Sequence, residues 1–217
     1  MNPTLTVEIL KSEARAFALV ESNHCEPKLY GVTDGKKVGT YFELKFRRYL
    51  AERYEFPQGN AAKGIDFPGL NVDVKVTSVR QPQSSCPFNS ARQKVYGLGY
   101  ALLIFVYEKT DDAETKTGNL KVLHTIFVEK EMTADFQTTK GIRQILDNDG
   151  SKEDLLAFFQ DRMLPVNEIE ATTIADEILR TPPQIGYLTI SNALQWRLQY
   201  ARVIEKAGSI AGLQRLK

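Results

Sequence analysis

The run Gly64-Ile-Asp-Phe-Pro-Gly-Leu-Asn-Val-Asp-Val-Lys75 gathers two carboxylates and an ammonium around a short turn. With Pro68 to Asn71 as a hairpin loop and Phe67 opposite Val72, Asp66 faces Asp73, Ile65 faces Val74 and Gly64 faces Lys75. Directly opposed side chains of an antiparallel pair lie about 5 Å apart at Cβ. Alternation sets Asp66, Asp73 and Lys75 on one face and Ile65, Phe67, Val72, Val74 and Val76 on the other. Opposed like charges destabilise a hairpin unless something compensates them. A divalent cation between the carboxylates would do so, with Lys75 adding positive charge. Hard cations such as Mg²⁺ take oxygen ligands and keep several waters, so one or two carboxylates suffice. Such an ion polarises a phosphoryl oxygen and lowers the pKa of bound water. A nearby ammonium stabilises developing negative charge, or helps to orient and deprotonate the attacking water. Gly64 leaves room for a substrate. The competing reading is a solvated hairpin face with ordinary charges; the wholly apolar opposite face favours the catalytic one.

These residues resemble the motif of the PD-(D/E)XK nuclease superfamily and, within it, of the type II restriction endonucleases. Asp66 matches the first acid, Asp73 the second and Lys75 the lysine, while Ile65 stands where the family name has proline and the interval between the acids is short. The resemblance implies a Mg²⁺-dependent DNA endonuclease in which Asp66, Asp73 and Lys75 are catalytic and Asp66, Asp73 and Val74 contact the metal. It also implies an accessory carboxylate on the preceding helix, where Glu43 stands, and a polar group facing the scissile phosphate on the following helix, where Gln93 and Lys94 stand. Each has a structural reading beside it. Thr40-Tyr-Phe-Glu43 is a capping box and Ser90-Ala-Arg-Gln93 a capping pattern, and a lone helical Lys94 is usually solvated.

The elements that must position this chemistry follow from periodicity. Residues 5–21 read as a helix, with Leu5, Ile9, Phe17 and Val20 among its apolar positions. Thr40 to Arg53 reads as a second, with Phe42, Phe46, Tyr49 and Leu50 on one side. Tyr54 to Pro57 suits a short edge strand, and the hairpin strands fall near 63–67 and 71–78. A helix near Ser90 to Tyr96 ends at Gly97 and Gly99. Ala101 to Tyr107 is a continuous apolar run suited to a doubly covered central strand. Gly118-Asn119 then turns the chain into a strand near 120–128. The predicted class is α/β (α+β), with an αβββαβ core of mixed sheet flanked by helices over about residues 40–128. Residues 1–217 form one nuclease domain, with a helical C-terminal subdomain over about 151–217.

At 42% hydrophobic and 25% charged residues the chain is globular in composition. No apolar run approaches the ~20 residues of a membrane span, and the N-terminus lacks the features of a signal peptide. Cys25 and Cys86 suggest neither a metal site nor a disulfide framework, which points to a reducing cytoplasm. His24 and His124 form no cluster. Net charge is only +1, but basic residues prevail over residues 1–107 and 181–217 and acidic ones over 108–180. Local basic surface is what phosphate binding requires.

Candidate DNA contacts lie in two stretches. The loop after Lys75 carries Gln81, Gln83, Ser84, Ser85 and Asn89, whose amides and hydroxyls suit base edges and phosphates. Thr189 to Lys206 reads as one amphipathic helix N-capped by Ser191, with Asn192, Gln195, Gln199, Arg202 and Lys206 along a polar stripe. That stripe suits groove reading, a solvated face or, through Trp196 and Tyr200, a dimer contact. Together with the resemblance, these features point to a restriction enzyme that cuts a short palindrome in double-stranded DNA as a homodimer. A cognate DNA methyltransferase is expected in the same genome. The alternatives are a repair or recombination nuclease of the same superfamily, or a DNA-binding protein with an inactive nuclease-like core.

Overall fold

The computed structural model describes residues 2–57, 64–86, 90–191 and 196–217. In chain order its elements are α1 (Val7–Ser22), β1 (Cys25–Glu26), α2 (Gly35–Ala51), β2 (Val72–Ser78), β3 (Gln83–Cys86), α3 (Arg92–Tyr96), β4 (Ala101–Asp112) and β5 (Thr117–Val128). They continue with α4 (Phe136–Asp147), α5 (Lys152–Asp161), α6 (Glu168–Arg180), β6 (Thr189–Ile190), β7 (Trp196–Gln199), α7 (Ala201–Lys206) and β8 (Leu213–Arg215). The chain divides into two compact units. One comprises Met1–Ser84, Ala101–Val128 and Lys206–Lys217; the other comprises Ser85–Tyr100 and Glu129–Glu205.

The first unit is built on a mixed five-stranded sheet in the order β1-β5-β4-β2, with β8 also paired to β5. β2 runs parallel to β4 and β4 antiparallel to β5, so the expected class of mixed sheet with flanking helices holds. Residues 101–107 form a fully buried stretch of β4, as their continuous apolar run requires. The β4–β5 hairpin is longer than expected and does not turn at Gly118-Asn119. Asp112 pairs with Thr117, and the Asp112 carboxylate accepts the Glu114 N–H at 2.8 Å, which fixes the turn a few residues before Gly118.

α2 also starts earlier than expected. Asp34 is its N-cap, accepting the Lys36 N–H at 2.8 Å, so Thr40 lies inside the helix and caps nothing. The capping explanation of Glu43 is thereby removed. Phe42 and Phe46, one helical turn apart, bury against Phe17 of α1 and Phe105 of β4, with ring centroids 4.9–5.3 Å apart. This aromatic contact fixes α2 against the sheet and sets its next residues, Glu43 and Arg47, at the margin of the buried face.

The second unit packs α3 to α6 around Val95, Ile142, Leu155, Phe159, Ile174 and Ile178. Its three-stranded sheet has the order β3-β7-β6, and β3 crosses the boundary between the units at Ser84–Ser85. Gly97 ends α3 at φ 88°, as expected of a glycine C-cap. A Cβ there would lie 2.7 Å from the Lys130 carbonyl oxygen.

The single helix expected over Thr189 to Lys206 is not formed. Thr189 pairs with Gln199 and Ile190 with Leu198 across β6 and β7, and only Ala201–Lys206 is helical. Alternation decides the outcome: Trp196, Leu198 and Tyr200 are buried while Arg197 and Gln199 are exposed. Trp196 and Tyr200 therefore belong to the interior of the second unit rather than to an exposed seam. Asp135, which the sequence reading did not single out, anchors this region. Its carboxylate accepts the Thr138 N–H and hydroxyl at one end of α4 and the Ile190 N–H of β6.

Candidate active site

The turn before β2 forms as expected only at its tip. Phe67 and Val72 exchange backbone hydrogen bonds of 2.9 and 3.2 Å around Pro68–Asn71, and Asn71 takes the left-handed conformation at φ 55°. Asn tolerates that conformation better than most residues. Beyond Phe67 the expected first strand does not continue. The Asp66 carboxylate accepts the Val74 N–H at 2.9 Å, in the place a partner-strand carbonyl would take. Ile65 and Gly64 consequently leave the ladder, and Gly64 turns at φ 63°. Asp66 reaches the site from the sheet edge rather than from a strand face. The N–H and C=O of one strand residue point to the same edge, so the Val74 carbonyl also faces Asp66.

Asp73 and Lys75 share a face of β2, as alternation requires, while Val72 and Val74 enter the core on the other. Lys75 Nζ lies 2.7 Å from Asp73 Oδ2. Asp73 is buried, and Lys75 is the cation that faces that oxygen. Burial pushes the Asp73 carboxyl up to about 6; Lys75 opposes the shift and nearby Asp66 adds to it. Burial disfavours the Lys75 ammonium, but Asp73, Asp66 and Glu43 together raise its pKa above the ordinary lysine value. From α2, Glu43 joins the same field. Burial pushes its carboxyl up to about 7, with Asp66 and Asp73 adding to the shift and Lys75 and Arg47 opposing it. Three carboxylates thus feel one another around a single ammonium. This is the electrostatic pattern of a site short of positive charge.

Arg47 supplies part of the deficit. One turn along α2 from Glu43, its Nη2 lies 2.6 Å from Asp66 Oδ1. Glu43, Phe46, Arg47, Asp66, Phe67 and Val74 line a shallow cleft at this edge. The i, i+4 spacing sets Arg47 beside Glu43 on α2, but only the packing of α2 on the sheet brings it to Asp66.

The remaining candidates are dispersed. Gln81 and Ser85 are exposed and Gln83 and Ser84 half-buried; Gln83–Cys86 form β3 rather than an open loop. The buried Thr77 hydroxyl bonds the Gln81 and Gln83 backbone and so ties this segment to the end of β2. Asn89, Asn192 and Gln195 lie outside the described residues. In the second unit, Gln93 donates from its side-chain amide to the Leu98 carbonyl instead of closing a capping box. Lys94 is buried rather than solvated, and burial lowers its pKa against the pull of Asp135. The Arg202 guanidinium stacks 3.6 Å from the Phe136 ring centroid.

Similarity to known proteins covers nearly the whole chain. The family model described as type II restriction enzyme NspV matches residues 4–215. A protein of Nostoc sp. (strain ATCC 29411 / PCC 7524), named type II restriction enzyme NspV, is 68% identical over 209 residues, covering 96% of this chain and 95% of that protein. The chain belongs to the NspV family of type II restriction enzymes. It is accordingly a site-specific deoxyribonuclease with DNA as its substrate, and Asp66, Asp73, Lys75 and Glu43 are candidates for its chemistry. No solved structure matches the chain. Among the described residues no helix is long and apolar enough to cross a membrane.

Proposed function

We propose that this restriction endonuclease hydrolyses its phosphodiester bonds with Mg²⁺ held by the Asp66 and Asp73 carboxylates and the Val74 carbonyl. The supporting observation is mutual: Asp66 and Asp73 each sit in the other's field, and both Asp73 and the Lys75 that faces its Oδ2 at 2.7 Å are largely withdrawn from solvent. Among the described residues no three acidic, histidine or cysteine side chains are gathered at metal-binding spacing. Two carboxylates and a carbonyl nevertheless match an ion that keeps several of its waters. When bound, Mg²⁺ would polarise the phosphoryl oxygen and acidify a water. Lys75 stabilises negative charge developing on the phosphate and orients the attacking water. Glu43, held near neutrality, is suited to exchange a proton with that water.

The exposed Gln81 and Ser85 and the half-buried Gln83 and Ser84 are proposed to contact DNA. The burial of Lys94 and the stacking of Arg202 favour packing roles for those two cations. We further propose a homodimer cutting a short palindrome in the cytoplasm, with a cognate methyltransferase protecting the same site. Plasmid cleavage to discrete fragments with Mg²⁺, lost with EDTA and in Asp73→Asn, is the expected result. Lys75→Ala should lose cleavage but retain Mg²⁺ binding in calorimetry. Full cleavage by Asp73→Asn would overturn the site.

A further inference from the structure

Asp66 is already satisfied by the chain itself. Its Oδ2 accepts the Val74 N–H at 2.9 Å, and its Oδ1 holds the Arg47 guanidinium at 2.6 Å. Arg47 is 30% exposed and Asp66 22% exposed, so the pair is reachable from solvent. An arginine stays charged at any accessible pH, so it cannot leave this carboxylate by losing its proton. It leaves only by exchanging one anionic partner for another. A phosphodiester is such a partner, because guanidinium binds phosphate oxygens as well as carboxylates.

We infer that Arg47 is a resident competitor at Asp66, which yields the carboxylate to the divalent cation and then serves the scissile phosphate as a positioning group. The inference rests on the proposed metal site and adds to it a coupling between metal and DNA. While Arg47 holds Asp66, a cation must displace it and binds weakly. A phosphodiester at this exposed edge draws the guanidinium away and leaves Asp66 free for the metal. By linkage, the cation in turn strengthens the hold on DNA by the same factor. The arrangement also explains how Asp66 and Asp73 coexist without metal. Each carboxylate has its own cation, Arg47 for Asp66 and Lys75 for Asp73.

The test is calorimetric titration of Mg²⁺ into the full-length protein without DNA, for wild type, Arg47→Gln, Arg47→Lys, Arg48→Gln and Asp66→Asn. Removing the competitor in Arg47→Gln should tighten Mg²⁺ binding at least about fivefold, the lower end of ordinary coupling. Arg47→Lys keeps a competing charge and should remain near wild type. Arg48 is exposed on the same helix, and its substitution controls for a general loss of positive charge by leaving affinity unchanged. Equal affinity in Arg47→Gln and wild type, or equal tightening in Arg48→Gln, overturns the competition. At saturating Mg²⁺, Arg47→Gln should cleave more slowly than wild type despite its fuller site. Cleavage at the wild-type rate overturns the phosphate role. Asp66→Asn reports on the underlying site alone: undiminished Mg²⁺ binding there would remove the metal site itself, whatever Arg47 does.

Discussion

Glu43 and Asp73 carry protons to unusually high pH because both are desolvated and each lies in the field of other carboxylates. Their ionised forms, which attract a cation, prevail only above about 7 and about 6 respectively. At limiting Mg²⁺, cleavage should therefore fall as pH drops through 7 and fall again through 6. Glu43→Gln should remove the upper step and keep the lower, and a profile retaining both would take Glu43 out of the site. The stability sign runs the other way. A raised carboxyl pKa means that the folded state binds more protons than the unfolded state between the ordinary carboxylate range and 6 to 7. Stability from these groups is therefore greatest at the acidic end and declines as pH rises through that window. Asp73→Asn removes part of that decline, and Lys75 keeps the fields of Asp66 and Glu43. Its melting temperature at pH 8 should match or exceed wild type, whereas a drop of several degrees would mean that the Lys75 ion pair dominates. Asp66, Asp73 and Lys75 were legible in the sequence because one turn, Pro68 to Asn71, brings them together. Arg47 was not, because its reach to Asp66 depends on how α2 is fixed to the sheet by Phe42 and Phe46, a tertiary fact.

The elements were legible where one periodicity ruled. β4 is apolar throughout its first half, and α1 and α2 repeat their apolar residues at helical spacing, so all three could be read directly. Trp196 to Tyr200 obeys two patterns at once. Leu194, Leu198 and Ala201 fit a helical face, while Trp196, Leu198 and Tyr200 fit alternation, and a short run of this kind cannot decide between them. Burial of two large aromatic side chains in the second unit selects the strand. Substituting them therefore tests packing rather than DNA contact. Trp196→Ala should cost about 3–5 kcal/mol in denaturant unfolding, the usual penalty for emptying a buried aromatic position. Arg202→Ala should cost about 0.5–2 kcal/mol through loss of its stack on Phe136, with little change in the salt dependence of DNA binding. A salt slope smaller by about one in Arg202→Ala would return that residue to the phosphate backbone.

At the scale of the whole molecule, one chain contributes one set of Asp66, Asp73 and Lys75, among the described residues, while a double-strand break requires two phosphodiester bonds to be cut. Twofold pairing of chains on a twofold site meets that requirement with each subunit acting on one strand. The small net charge is no obstacle, since the basic residues prevail in the segments that carry the site and the C-terminus. Each subunit of such a dimer should act on its own strand, which mixed dimers can reveal. Wild type and Asp73→Asn chains, unfolded together and refolded, should give hybrids with one working site. On supercoiled plasmid the hybrids should accumulate nicked circles, whereas pure wild type should pass to linear product in a single binding event. The nicking fraction should peak near equal mixing, where hybrids are most abundant. Linear product that falls only in proportion to the wild-type fraction, without nicked circles, would mean that chains do not exchange into pairs and that a lone subunit cuts both strands.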